Sequence, residues 1–210
     1  MEQFFKRLIT SFFLISILAL AFYYPFFLVI LLILVVIISW VEFNGLIKRI
    51  YNQDKLKDSI LVFFFKSLAL LYLVFFASII YQEFNEFKLG IFYLFCVCIC
   101  CDSGGYIFGK VFKGKKLTKI SPNKTVSGAI GSFTLSLLLV PLFMGMLTEN
   151  INEILNLILI TFLVSSVCQG GDLFISYLKR AANVKDTGDV LPGHGGILDR
   201  IDGMIFAFPF

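Results

Sequence analysis

Apolar runs of membrane-span length recur along the whole chain, separated by short polar gaps. At about 20 residues per helical crossing, the pattern predicts spans near residues 8–24, 26–47, 59–81, 89–108, 128–147, 153–178 and 201–210. Pro25 separates the first two. The predicted fold class is therefore all-α: a polytopic integral membrane protein with about seven transmembrane or partly membrane-embedded helices. No stretch reads as a separate soluble domain, so residues 1–210 are expected to form a single membrane-embedded domain. The first run follows Lys6 and Arg7 as a secretory leader would. It lacks a small-x-small cleavage site and another apolar run follows at once, so it is expected to be retained as the first span. The last run, 201–210, extends only about 15 Å as helix against a hydrocarbon core of about 30 Å, and is expected to be truncated or to cross only half-way.

Composition agrees with this pattern. The chain is 59% hydrophobic and 15% charged with a mean hydropathy of +0.91, whereas soluble domains carry about 25% charged residues. That excludes a soluble globular protein. The 26 phenylalanines are expected to be lipid-facing filler rather than ligand cages. Cys96, Cys98, Cys100 and Cys101 crowd one apolar segment and Cys168 lies in another. Although positions 96 and 100 share a helical face, buried thiols acting as small apolar residues are the expectation, rather than a functional thiol site. Charge sets the orientation. Sixteen of the 18 basic residues fall in segments that are cytoplasmic if the N-terminus is inside, leaving Lys88 outside and Lys66 within a span, where it can snorkel. The expected location is the cell (inner) membrane, multi-pass, with the polar chemistry facing the cytoplasm. The outer loops, 82–88 and 148–153, carry Glu83, Glu86, Glu149 and Glu153 and read as plain turns. Trp40 reads as an interfacial anchor, and Glu42 reads as a solvated helix end as readily as a site residue; both are placed outside the site.

Four polar stretches can carry chemistry. In CDSGGYIFGK, 101–110, Asp102 stands at the inner end of the fourth span, where an ionised carboxylate costs several kcal/mol unless paired, wet or metal-bound. Gly104, Gly105 and Gly109 admit a close neighbour, and a structural aspartate beside small-residue helix packing is the competing reading. In ISPNKTVSG, Ser121 opens a turn, and Lys124 and Thr125 lead into the fifth span, an arrangement suited to phosphate. In QGGDLFISYLKR, 169–180, Asp172 and Ser176 share a helical face and Lys179 and Arg180 close the helix at headgroup level. Last, KDTGDVLPGHGGILDRID, 185–202, brings Lys185 and Asp186, a glycine-rich turn with His194, Gly195 and Gly196, and then Asp199, Arg200 and Asp202. Asp199 and Asp202, three apart, share a helix face. With Asp172 they supply carboxylates for a hard cation such as Mg²⁺, although an acidic pair at a helix start can also serve as capping.

Residues 176–202 resemble the signature of the phosphatidate cytidylyltransferase (CDP-diacylglycerol synthase) family. Ser176, Lys179, Arg180, Lys185, Asp186, the run Leu191, Pro192, Gly193, His194, Gly195, Gly196, and then Asp199, Arg200 and Asp202 stand in its spacing. CDSGGYIFGK, SPNKTVSG and GGDLFISYLKR resemble further blocks of the same family. The resemblance thus makes residues 101–210 the cytidylyltransferase catalytic region, and residues 1–100 match only as helical spans. Where the family usually has Trp-Glu this chain has Val126 and Ser127, and Ile175 stands where an acidic residue is usual.

The resemblance implies that CTP and phosphatidic acid give CDP-diacylglycerol and pyrophosphate. Asp172, Asp199 and Asp202 would bind Mg²⁺, with room for a second cation, and Asp102 would help to position metal or nucleotide. Lys124, Lys179, Arg180, Lys185 and Arg200 would hold phosphates, Ser121, Thr125, Ser176 and Asp186 would take part in binding substrate, and the turn with His194, Gly195 and Gly196 would shape the CTP pocket. Implied partners are CTP, phosphatidic acid and membrane lipids, with no nucleic acid; a homodimer is compatible with the sequence. A related CTP-using lipid enzyme, such as a polyprenol or phytol kinase or an archaeal-type CDP-lipid synthase, is the nearest rival. An ion-coupled transporter would instead place carboxylates near the bilayer midplane within repeated halves, and no repeat is present.

Overall fold

The computed structural model describes residues 2–51, 56–118, 121, 124–193 and 195–209, with the side chains of 2–8, 56 and 57 left aside. Among these residues the structure is helical, with isolated bridges in place of strands. The helices are α1 (Glu2–Tyr23), α2 (Pro25–Ile50), α3 (Leu56–Glu86), α4 (Lys88–Phe112), α5 (Val126–Leu137), α6 (Val140–Leu147), α7 (Ile151–Ala181), α8 (Leu198–Ile201) and α9 (Met204–Ala207). Five segments are long and apolar enough to cross a membrane: Pro25–Ile50, Asp58–Glu86, Lys88–Phe112, Val126–Leu147 and Ile151–Ala181. Ile9–Tyr23 is a shorter apolar helix. The polytopic all-α expectation holds.

The breaks have local causes. Pro25 has no N–H and restricts the residue before it, so Tyr24 is extended (φ −121°, ψ 108°) and α1 ends there. Pro141 removes a donor within the predicted fifth span, which divides into α5 and α6 at Leu138 and Leu139. Two expectations change in detail. The turn predicted over 82–88 is mostly helix, because α3 continues to Glu86 and only Phe87 separates it from α4. The predicted last span, 201–210, is instead the end of α8 followed by the separate single turn α9.

The chain forms two compact units, and their boundaries fall within α3 and α7 and at the end of α8. The first contains residues 1–81 and 178–201. Its buried apolar residues include Leu28, Leu32, Leu46 and Ile47 of α2 and Val62, Leu73 and Phe76 of α3. Trp40 donates from Nε1 to the Lys66 carbonyl at 3.1 Å, so the expected headgroup anchor is spent on joining α2 to α3. Phe12, Phe13, Phe63 and Phe64 are exposed, as lipid-facing filler should be in a chain of this composition.

The second unit contains residues 82–177 and 202–210. Here α4 and α5 pack backbone to backbone, as small residues permit in lipid. A Cβ on Gly104 would clash with the Gly131 backbone, and one on Gly128 would lie 2.7 Å from the Gly105 carbonyl. Ser132 donates to the Cys101 carbonyl at 2.6 Å and Ser136 to that of Val97 at 3.3 Å, two buried serines tying α5 to α4. Tyr93 of α4 and Thr161 of α7 share a buried hydrogen bond. The Phe174 and Phe206 rings meet edge to face at 5.6 Å, holding α9 to α7.

Candidate active site

In the first unit the site is built on the C-terminus of α7. Asn183, at φ 55°, ends the helix; its N–H bonds the Arg180 carbonyl and that of Val184 bonds Lys179, the paired closure of a Schellman turn. Arg180 donates to the Val184 carbonyl at 3.2 Å and reinforces that turn. Lys179, on the preceding turn, reaches Asp199 Oδ1 at 2.7 Å. The other carboxylate oxygen, Oδ2, accepts from the Thr187 N–H at 2.8 Å and the Gly196 N–H at 3.1 Å, with the Thr187 hydroxyl oxygen 3.0 Å away. The pair is well covered, with side-chain exposures of 12% for Lys179 and 5% for Asp199. Burial pushes the Asp199 carboxyl up, but the Lys179 ammonium and the Thr187 and Gly196 N–H groups outweigh it and hold the group below the usual carboxylate range.

The glycine-rich turn is closed by reciprocal backbone bonds between Leu191 and Gly195, at 2.9 and 3.1 Å. Gly193 (φ 76°) and Gly195 (φ 82°) take left-handed backbone that a side chain would strain. His194, the histidine predicted at this turn, lies outside the described residues. Thr10 of α1 donates to the Pro192 carbonyl at 3.1 Å and fixes the outer edge of the turn. Beside it a cavity of about 310 Å³ is lined by Arg49 of α2 with Lys185, Asp186, Thr187 and Asp189. Lys185 and Asp186 were expected at the site. From sequence, Arg49 is only one of the sixteen basic residues that set the orientation.

In the second unit Lys124, just before α5, forms an ion pair with Asp172 of α7. Ser176, one turn on, donates to Asp172 Oδ1 at 3.4 Å. Thr125 caps α5 by accepting from the Gly128 N–H at 3.1 Å, and its hydroxyl bonds Ser127 at 3.0 Å. The Ser121 carbonyl takes the Lys124 N–H at 3.0 Å, closing the turn that presents this lysine. Asp202 is buried, its Oδ1 accepting the Gly203 N–H at 2.9 Å, and its carbonyl would lie 2.8 Å from a Cβ at Gly171, the residue before Asp172. Asp102 is exposed on α4. One of its oxygens lies within 4.8 Å of the Cys101 and Cys168 sulfurs. Both thiols are buried, and Cys101 also exchanges hydrogen bonds with Ser165, at 3.6 Å to its carbonyl and 3.4 Å from its hydroxyl. Ile175 is 3% exposed, a position where a carboxylate would need a partner in place of apolar packing.

Sequence reading missed Glu42. Far from a solvated helix end, its side chain is buried and accepts from the Thr187 hydroxyl at 2.8 Å and from the Ile197 and Leu198 N–H groups at 3.0 and 2.8 Å. The available signal was an acidic residue inside the apolar run of α2, a position where a charge needs partners.

These observations define a polytopic helical membrane protein whose polar chemistry is organised as lysine–aspartate pairs, one in each unit, with the pair of the first unit beside a constrained glycine turn. Comparison makes the assignment specific: the chain belongs to the Cytidylyltransferase family, whose sequence profile matches residues 44–210. It is 45% identical over 130 residues to a Bacillus subtilis (strain 168) protein named phosphatidate cytidylyltransferase, covering 60% of this chain and 48% of that one. A protein of the same name from Rickettsia typhi is 42% identical over 134 residues, 61% of this chain and 58% of its own. One from Helicobacter pylori (strain J99) is 41% identical over 128 residues, 60% and 46% respectively. The chain thus spans about half the length of the curated relatives it matches.

Proposed function

We propose that this chain transfers a cytidylyl group from CTP to phosphatidic acid, giving CDP-diacylglycerol and pyrophosphate. The observation that carries the reading is the segment from Lys179 to Asp202. It combines two basic helix-end residues, a glycine turn and a shielded carboxylate within the family match, and the names of the relatives supply the substrate class. A phosphate oxygen of phosphatidic acid attacks the α-phosphorus of CTP. The bond from that phosphorus to the bridging oxygen breaks, and pyrophosphate leaves with the electron pair. The attacking phosphate is largely a dianion at neutral pH, its second pKa being about 6, so the protein need not remove a proton. Its task is alignment and charge neutralisation.

Asp172, Asp199 and Asp202 are the proposed Mg²⁺ ligands, and carboxylate oxygens suit that ion. At Asp199 the donor set constrains how this works: Oδ2 is held by the Thr187 and Gly196 N–H groups and Oδ1 by Lys179. The Asp199 Oδ1 oxygen, held by Lys179 alone, would be the one to offer a cation, and Asp172, paired with Lys124, would contribute in the same way. When bound, the metal would neutralise phosphate charge and polarise the reacting phosphoryl group. Lys124 and Lys179 would neutralise charge at the site, toward their aspartates in the structure and toward substrate phosphates in the reaction. Arg180, Lys185 and Arg200 are the further proposed phosphate contacts, and Asp102 a positioning group. The site is proposed to face the cytoplasm from the inner membrane, with the N-terminus on the same side. Purified protein given CTP, phosphatidic acid and Mg²⁺ should form CDP-lipid and pyrophosphate in equal amounts. A phosphorylated alcohol with CDP as co-product would instead assign the kinase chemistry.

A further inference from the structure

Buried carboxylates are costly unless fully hydrogen-bonded, and Glu42 is one that the reaction outlined above does not use. Its side chain is 5% exposed. Both oxygens are engaged, Oε1 by the Ile197 N–H at 3.0 Å and Oε2 by the Leu198 N–H and the Thr187 hydroxyl, each at 2.8 Å. These donors flank the glycine turn: Thr187 precedes it, and Ile197 and Leu198 follow it. The loop also closes tightly over the carboxylate, since a Cβ at Gly188 would lie 2.8 Å from Oε1, and one at Gly196 would press on the same group. Thr187 connects it to Asp199. Its hydroxyl stands 2.8 Å from Glu42 Oε2 and 3.0 Å from Asp199 Oδ2, while its N–H donates to Asp199 alone. The two N–H groups that hold Asp199 Oδ2 belong to Thr187 and Gly196, both within the stretch that Glu42 ties down at its two ends.

We propose that Glu42 is a positioning residue for the transferase site: it anchors residues 187–198 to α2 and thereby sets the orientation of the Asp199 carboxylate. Glu42 reaches substrate only through that loop. A glutamine cannot replace it, because one of its two terminal atoms is a donor and would face either the Ile197 or the Leu198 N–H.

The test compares the full-length protein in detergent with Glu42→Gln, with the milder Thr187→Val, and with Leu32→Ala, a core truncation elsewhere on α2. Two readouts are taken: amide hydrogen exchange of the peptide covering 187–198, and kcat and KM for CTP per folded enzyme. The kinetic readout rests on the nucleotidyl-transfer reading; the exchange readout does not. Glu42→Gln should speed exchange in that peptide and lower kcat about tenfold or more, as expected for the loss of a buried charged acceptor. Thr187→Val should move both in the same direction by less. Leu32→Ala should reduce the yield of folded protein with kcat per folded enzyme unchanged. Parent-like exchange in Glu42→Gln would overturn the proposal, as would parent-like kcat beside an active parent. An inactive parent would defeat the transferase reading and leave exchange to decide on Glu42; if the Gln variant does not fold, parent-like exchange in Thr187→Val overturns the proposal.

Discussion

Asp199 shows how one residue is held in its charged form against burial. Its two oxygens take three N–H donors, from Lys179, Thr187 and Gly196, and charge-assisted bonds of this kind are about twice as strong as neutral ones. Removing the charge strands Lys179, which is 12% exposed. Asp199→Asn should therefore cost about 3–5 kcal/mol of stability and lower turnover on the order of 100-fold, read by thermal unfolding in detergent and by CDP-lipid formation per folded enzyme. Near-normal turnover in both Asp199→Asn and Asp172→Asn would remove the proposed metal assignment. Because folding lowers the pKa of Asp199, its ionised form stabilises the protein above the ordinary carboxylate value of about 3.9. That contribution is lost as pH falls through the lower folded value. Unfolding midpoints of parent and Asp199→Asn should differ at pH 7 and converge below about pH 4. The acidic and basic members of this group were legible in the sequence because they crowd into 27 residues, 176–202, of an otherwise apolar chain. Glu42 was not, since the donors it serves lie 145 to 156 positions further on and no local pattern announces such a contact.

At the scale of elements, periodicity and length located the helices, and chemistry finer than hydropathy set their ends. Pro141 divided one predicted span because a missing N–H breaks a helix however apolar its surroundings. The predicted turn over 82–88 became helix up to Glu86, its polar residues being compatible with an exposed helical surface. Gly104 and Gly105 were read correctly as permitting close approach, but only the structure identified the partner as α5. Gly104→Leu should separate α4 from α5 and cost about 1–3 kcal/mol or more. Gly145→Leu, where an added Cβ meets nothing within 4 Å, should leave the unfolding midpoint in detergent within about 1 °C of the parent. Equal losses from the two substitutions would contradict the packing argument.

For the whole molecule, the fold class followed from composition and span periodicity, and family membership rests on a match to residues 44–210. The division into two units was not legible, because it depends on which distant segments share a core: residues 178–201 join 1–81, and residues 202–210 join 82–177. The proposed orientation predicts opposite labelling of single cysteines introduced into a cysteine-free background. In intact cells an impermeant maleimide should label Glu149→Cys and leave Lys113→Cys unlabelled until the membrane is opened; the reverse pattern would invert the topology. The proposed reaction moves the cytidylyl group of CTP onto a lipid phosphate. The most direct measurement incubates the purified protein with phosphatidic acid, Mg²⁺ and CTP labelled at the α-phosphate, beside an active phosphatidate cytidylyltransferase as control. Label recovered in a CDP-lipid, with one pyrophosphate per product, is the predicted result. No labelled lipid from folded protein while the control turns over would contradict the account.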